Sequence, residues 1–297
     1  IDKVGVLPKY QNDYAGGTLG SPGQEWHQFT WDASMPVEWK TLDGKNYHTY
    51  FDDASWGPRM TGQEYIPWYA WYPGTKYSFK TAKLTPQPNN VRDFWNGNGA
   101  GQYINNISLS RGGDAYSFRL SYTNTYQKGL LPSTSLNKNV VSTSLSYDVN
   151  SHFTAGINMN YTNEIVKGEF NDDYGNNSAG SFSSWFHRDL DMGILKEFRD
   201  YRTPDGILPS WNLNDGGGIN GLASTDKKAF LRPNYWFDHY SYFDNISSVT
   251  NRSRIIGDVN LTYKFNSNFK VAGFIRKNVQ TKKNRGKVPK AMEISSN

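Results

Sequence analysis

The stretch GGDAYSFRLSYTN, Gly112 to Asn124, decides the fold. From Tyr116 every second residue is large and apolar: Tyr116, Phe118, Leu120 and Tyr122. Ser117, Arg119 and Ser121 stand between them. Side chains of an extended chain alternate between two faces, so the pattern predicts a strand with one apolar and one polar face. Four other segments share it. Ile107 and Leu109 alternate with Asn106, Ser108 and Ser110, and Val141, Leu145 and Tyr147 alternate with Ser142, Ser144 and Ser146. Phe153, Ala155, Ile157, Met159 and Tyr161 alternate with Thr154, Gly156, Asn158 and Asn160. Val259, Leu261, Tyr263 and Phe265 alternate with Asp258, Asn260, Thr262 and Lys264. A sixth, weaker pattern puts Phe269, Val271 and Ile275 on one face.

The connections between these segments are unequal. RGGD, DVNS and NSN are tight turns rich in Gly, Asn and Asp. TYQKGLLPSTSLNK and the block 165–250 are long. Short turns on one side and long loops on the other are the habit of transmembrane β-barrels. Tyr147, Phe153, Tyr263, Phe265 and Phe269 flank the short turns, where a barrel carries an aromatic girdle.

Composition agrees with an interface rather than an aliphatic core. The chain has 297 residues, of which 36% are hydrophobic, yet it holds 10 Trp, 20 Tyr and 16 Phe. Rings with one wet end suit membrane and ligand interfaces. There is no Cys, so disulfides and thiolate metal sites are excluded. No run of about 18 apolar residues exists, which excludes a membrane helix but not a membrane strand. The first residues have neither the basic start nor the apolar core of a signal peptide.

The fold class expected is all-β, an antiparallel transmembrane barrel segment. Tyr116, Phe118, Leu120, Leu145, Ile157, Val259 and Leu261 then face lipid, and the Ser, Asn and Thr rows face a watery lumen. A soluble sandwich inverts the faces, but its solvated side usually carries more Lys and Glu. Residues 102–164 supply four strands and 251–297 a hairpin and the start of another loop. Residues 1–101 and 165–250 lack sustained alternation and read as two large extracellular loops. PNNVRDFW predicts a short helix capped by Asn89 or Asn90. SSWFHRDLDMGILKEFRD predicts a longer one, with Phe186, Leu190, Ile194 and Phe198 as its stripe, Ser183 or Ser184 as cap, and TPDG as its end.

Seven words fall in order along the chain: VLPKYQNDYAGG, SWGPRMTGQ, TPQPNNVRDFW, YINNISLSRGG, YTNTYQKGLLPSTSL, LRPNYW and SRIIGDVNLTYKF. Together, from Val6 to about Phe265, they resemble the SusC/RagA-like TonB-dependent outer-membrane transporters. The resemblance implies a barrel of about 22 strands plugged by an N-terminal domain. It implies TonB-powered import of oligosaccharides or peptides in a Gram-negative outer membrane, with a SusD-like lipoprotein as lid and lipopolysaccharide around the barrel. Six strands do not close such a barrel, and the words for plug and TonB contact are missing, so an early-middle segment of a longer polypeptide is expected.

Catalytic chemistry is not expected. The five His residues show no ligand spacing, and no nucleophile motif appears. No metal ligands are assigned. FNDDYGNN and YFDDASW are oxygen-rich enough for calcium but have no ligand register, so no cofactor is expected. Paired carboxylates for glycoside cleavage cannot be assigned. Trp56, Trp68, Tyr69, Trp71 and Tyr72, with Arg59, are candidates for contact with cargo or lid, or for packing the loop against its own barrel. The tail RKNVQTKKNRGKVPK reads as a solvated basic loop at the outer surface, not a nucleic-acid site. The alternative to an importer is a secreted carbohydrate-binding module, in which Phe118, Leu145, Ile157 and Leu261 meet in one dry core.

Overall fold

A computed structural model describes residues 6, 8–18, 25–96, 98–168, 186–214, 229–287, 289 and 292. Four two-residue strands come first: β1 (His27–Gln28), β2 (Asn46–Tyr47), β3 (Glu64–Tyr65) and β4 (Ala82–Lys83). Helix α1 (Asn90–Asn96) follows, then β5 (Gly101–Gly113), β6 (Tyr116–Lys128), β7 (Ser135–Asp148) and β8 (Phe153–Lys167). Helices α2 (Met192–Glu197) and α3 (His239–Asn245) precede β9 (Ser247–Lys264) and β10 (Lys270–Lys287). The chain divides into two compact units. One takes Gly99–Glu169 and Ser247–Gly286; the other takes Lys3–Asn98 and Phe170–Ile246.

The first unit is one antiparallel sheet in the order β10-β9-β8-β7-β6-β5. It is not closed; β5 and β10 are its edges. The register aligns the alternating residues into rows across the strands. Phe118, Leu145, Ile157 and Val259 form one row, and Tyr116, Tyr147, Ala155 and Leu261 the next. Above them Tyr122, Val141, Tyr161 and Ile255 stand together. The apolar face then stops abruptly: the following row is Asn105, Asn124, Asn139, Asn163 and Ser253. Its amides bond along the row, Asn124 Nδ2 to Asn139 Oδ1 at 2.8 Å and Asn163 Nδ2 to Ser253 Oγ at 3.0 Å. On the other face Ser144 Oγ donates to Asn158 Oδ1 at 2.8 Å, and Asn158 Nδ2 reaches Asp258 Oδ2 at 3.3 Å.

Two turns of this sheet are built alike. Asn150 Oδ1 accepts the backbone N–H of His152 and Phe153, both at 2.9 Å. Asn266 Oδ1 accepts those of Asn268 and Phe269 at the same distance. Asn does this because its short side chain mimics a backbone turn. Phe265 packs on Tyr263 at 4.8 Å and on Phe269 at 5.2 Å, so the rings gather at the turn.

Several expectations are corrected. β6 and β7 run further than their alternation, so the connection between them is only 129–134. The weak sixth pattern is a full strand, and the basic tail to Lys287 is part of it rather than a loop. There Lys277, Lys283 and Arg285 fall in register with Val271, Ile275 and Val279 and hide the alternation, while Arg254 Nε ties β9 to Asn278 Oδ1 at 3.0 Å. Block 165–250 gives up residues at both ends, because β8 reaches Lys167 and β9 starts at Ser247. The helix expected over 183–200 shrinks to Met192–Glu197, capped by Asp191, whose side chain accepts from Gly193 and Ile194. Ser183 and Ser184 lie outside the described residues, as does FNDDYGNN.

The second unit joins the two blocks read as separate loops. Its core is aromatic: Phe29, Trp39 and Phe230 meet Trp71 edge-on at 5.0, 5.1 and 5.1 Å. Rings supply the buried area that sparse Leu, Ile and Val do not. Two small ladders, β1 with β2 and β3 with β4, fold the first block. Buried side chains then tie it to the second. Tyr72 OH donates to Leu231 O at 3.0 Å and accepts Ser210 N at 2.9 Å. Trp236 Nε1 donates to Asp53 Oδ2 at 2.7 Å. Asn90, where the predicted capping signal falls, opens α1 and accepts Arg188 Nη1 at 2.6 Å.

Candidate functional site

Three places in the second unit carry chemistry. The first is an exposed platform. Trp56 stands 52% exposed beside Tyr14, ring centroids 5.7 Å apart, and Arg59 lies 5.1 Å over the Tyr14 ring. Arg59 Nη2 donates to Tyr14 OH at 3.2 Å. The backbone fixes this group: Ala15 N bonds Pro58 O at 3.0 Å, Met60 N bonds Asp13 O at 2.8 Å, and Trp56 N bonds Gly17 O at 2.7 Å. Gly57 is obligatory here, because a Cβ would sit 1.9 Å from Gly16 O. A flat indole, a phenol and a guanidinium side by side suit a sugar face or a carboxylate-bearing partner.

The second is a cleft of about 220 Å³ between residues 75–77 and the end of α2, lined by Thr75, Lys76, Tyr77, Glu197, Phe198 and Tyr201. Tyr77 and Phe198 stack at 6.1 Å. Lys76 Nζ pairs with Glu197 Oε2 at 2.8 Å, and Tyr77 OH donates to the same oxygen at 3.1 Å. Hydrogen bonds from Lys76 and Tyr77 hold the Glu197 carboxyl below its ordinary range. Ring walls with an ion pair at the rim suit a small polar ligand with one flat apolar face.

The third is buried. His48, which follows β2, and His187 and Asp189, which precede α2, bring their ligand atoms within 4.8 Å of one another. His48 Nε2 lies 3.1 Å from Asp189 Oδ2. Gly16 N donates to Asp189 Oδ1 at 2.8 Å, and His187 Nε2 meets Asp52 O. Burial pushes the His187 pKa down to about 4, so the ring is neutral at pH 7. Burial alone raises the Asp189 carboxyl, but the charge and hydrogen bond of His48 outweigh it, and the group stays ionised.

The sequence-predicted site residues divide. Trp56 and Arg59 are at the surface, as a contact role requires. Trp68, Trp71 and Tyr72 are buried, which corrects their assignment to cargo or lid contact. Trp68–Trp71 form a 3-10 turn whose tryptophans pack inside the aromatic core of the second unit itself. Tyr116, Leu120, Leu145, Ile157, Val259 and Leu261 lie on one face and are 37–46% exposed, with Phe118 half-buried among them. The sequence did not reveal the His48–His187–Asp189 cluster, because its first member stands 141 residues before Asp189. The word HRD, with Asp189 two residues after His187, is the only local signal.

Among the described residues no helix is long and apolar enough to cross a membrane, a statement that does not bear on strands. No family model matches this chain, and no curated protein matches it either.

Proposed function

We propose that this chain supplies barrel strands and a folded extracellular unit to a TonB-dependent outer-membrane importer of the SusC/RagA type. It takes up oligosaccharides or peptides under a SusD-like lid. The observation that carries this is the bare apolar face of the six-stranded sheet. Ile107 and Leu109 are 71% and 63% exposed, and Leu145, Ile157 and Leu261 leave no dry core among them. In water such a face, flanked by two open edges, is an aggregation hazard. In hydrocarbon it is the stable arrangement, and the Ser and Asn rows then line the lumen.

The dimensions support the same reading. The apolar rows run from Tyr263 to Ile255 before the asparagine row begins. Eight steps of about 3.3 Å give roughly 26 Å along the strand, or about 20 Å after a barrel tilt near 40°. An outer-membrane barrel carries an apolar band of about 25 Å with aromatics at its border. Tyr147, Tyr263, Phe265 and Phe269 occupy the border at the short turns. The free edges of β5 and β10 must be paired by further strands, since lipid does not tolerate an open edge. The secreted-module alternative needs Phe118, Leu145, Ile157 and Leu261 packed together, and three of the four are exposed.

On this reading the work is binding and gated passage rather than covalent chemistry. The Trp56–Arg59 platform and the Tyr77–Phe198 cleft are the cargo or lid contacts. The chain has no Cys, so single labels test the faces directly. Leu145→Cys and Ser144→Cys, each carrying bimane, are compared in bilayers made with brominated lipid. Lipid quenching of the label at 145 and iodide quenching at 144 are expected. Iodide quenching of both, or recovery of the native protein as a soluble periplasmic species, overturns the proposal.

A further inference from the structure

We propose that His48, His187 and Asp189 bind one zinc-type divalent cation that joins the two blocks of the second unit. This does not depend on the transport reading. Two imidazoles and one carboxylate are a donor set that zinc takes, whereas calcium and magnesium prefer oxygen alone. The three ligand atoms lie within 4.8 Å of one another, and the His48–Asp189 edge is 3.1 Å. Zinc bonds of about 2.0–2.1 Å in a tetrahedron separate donors by roughly 3.4 Å. The His48–Asp189 edge is therefore near its bound length, and closing the longest edge needs a movement of little more than about 1 Å.

The surroundings match what a bound metal asks of its ligands. Ligating imidazoles commonly anchor the second ring nitrogen on a carbonyl, and ligating carboxylates are themselves hydrogen-bonded. Here His48 Nδ1 lies 3.2 Å from Thr49 O, and His187 Nε2 meets Asp52 O. The outer oxygen of Asp189 takes Gly16 N at 2.8 Å. Gly16 lies flat against the His187 ring: a Cβ there would be 2.1–2.5 Å from three ring atoms. This close approach holds the imidazole in place. His48 and Asp189 side chains are only 2% and 4% exposed, so water competes little for the site.

The role of the metal is a cross-link. His48 comes from the block before the strands and the other two from the block after them. Closing that long loop is where a metal clip contributes most, since binding free energy becomes folding free energy.

The test uses the full chain purified in detergent, stripped with EDTA and dialysed against zinc chloride. One zinc per chain, measured by plasma mass spectrometry, is expected. Zinc-edge X-ray absorption should give two imidazole shells at about 2.0 Å. Zinc should raise the tryptophan-monitored unfolding midpoint by roughly 5 °C. His187→Gln and Asp189→Asn should each lower zinc content at least tenfold, while His152→Gln, in a sheet turn, leaves it unchanged. If either cluster variant fails to fold, the absorption spectrum of the unmodified chain decides. Less than a tenth of a zinc per chain, a shell without imidazole, or full zinc retention in both cluster variants overturns the proposal and leaves a plain His48–Asp189 ion pair.

Discussion

The side chain of Asn212 donates to Tyr50 O at 2.8 Å, 162 residues earlier in the chain. It is fully buried and uses every bond it has. Nδ2 also reaches Phe51 O at 2.9 Å, while Oδ1 accepts Tyr235 N at 2.7 Å and Trp236 N at 3.2 Å. Asn212→Ala leaves four backbone groups without it, those of Tyr50 and Trp236 in buried bonds and those of Phe51 and Tyr235 in part-buried ones, and a destabilisation on the order of 3 kcal/mol is expected. Asn212→Asp keeps the two acceptor bonds but sets a carboxylate oxygen against two carbonyls. It should be at least as damaging at pH 7 and recover on acidification. All ten tryptophans fall in the second unit, so tryptophan-monitored urea unfolding reads this unit alone.

The next prediction concerns Gly57. A Cβ there would stand 1.9 Å from Gly16 O and 2.9 Å from Gly16 C. Backbone cannot swing aside as a side-chain tip can, so the bridge between Tyr14 and Arg59 must part. Gly57→Ala should cost about 3 kcal/mol or more and abolish ligand or lid binding that uses Trp56 and Arg59. Gly62→Ala is the matched comparison: its φ is +84° but nothing lies within 4 Å. Only the left-handed backbone opposes that change, which should cost about 1 kcal/mol. Equal losses for the two variants would show that steric approach at Gly57 is not what matters.

Asp238 and His239, adjacent in the chain, oppose each other in the acid–base behaviour of the unit. Asp238 caps α3, with Oδ1 accepting Tyr240 N at 2.9 Å and Ser241 N at 2.8 Å. Burial pushes its pKa up to about 7. Between about pH 4 and 7 the folded state then holds a proton that the unfolded chain has released, so this group lowers stability as pH rises. Burial pushes His239 down to about 3. Below pH 6.5 the unfolded chain takes up a proton the folded ring refuses, so stability falls as pH falls from 6.5 toward 3. Asp238→Asn keeps the capping oxygen and removes the first source. Its stability relative to the parent should grow between pH 4 and 7 and level off above. A difference independent of pH would refute the assignment.

The sheet was legible in the sequence because two local rules sufficed. Alternation gave the faces, and the register then had to align Phe118 with Leu145 and Ile157 to keep one face apolar. The strand of the basic tail was hidden, since Lys277, Lys283 and Arg285 occupy positions that alternation normally marks. The stripe Phe186, Leu190, Ile194 and Phe198 was real as packing but false as one helix. Arg188 is drawn out of helical geometry by Gln11 O at 3.0 Å, Asn12 Oδ1 at 3.0 Å and Asn90, and Asp191 caps the shorter helix that remains. The joining of the two blocks, and with it the His48–His187–Asp189 cluster, rests on contacts between residues far apart in the chain, such as Asn90 with Arg188, 98 residues on, and His48 with Asp189, 141 residues on. No local pattern encodes those.

The two asparagine turns give the last prediction. Asn150 and Asn266 each accept two backbone N–H groups, and each lies beside a gathering of rings. Both sit at the short-turn border of the sheet, where the chain must reverse in four or five residues without a glycine. Asn→Ala removes two acceptor bonds at an exposed site, which should cost about 1 kcal/mol per turn. The turns touch, since Lys264 N donates to His152 O at 2.7 Å and His152 Nδ1 lies 2.8 Å from Lys264 O, so the two effects should couple rather than simply add. The signature is local: amide exchange should accelerate at Phe153 in one variant and at Phe269 in the other, with tryptophan-monitored stability of the second unit unchanged. Asn→Asp keeps the accepting oxygens and should preserve protection at both. Unchanged exchange in both Asn→Ala variants would mean that the flanking rings, and not the side-chain amides, close the turns.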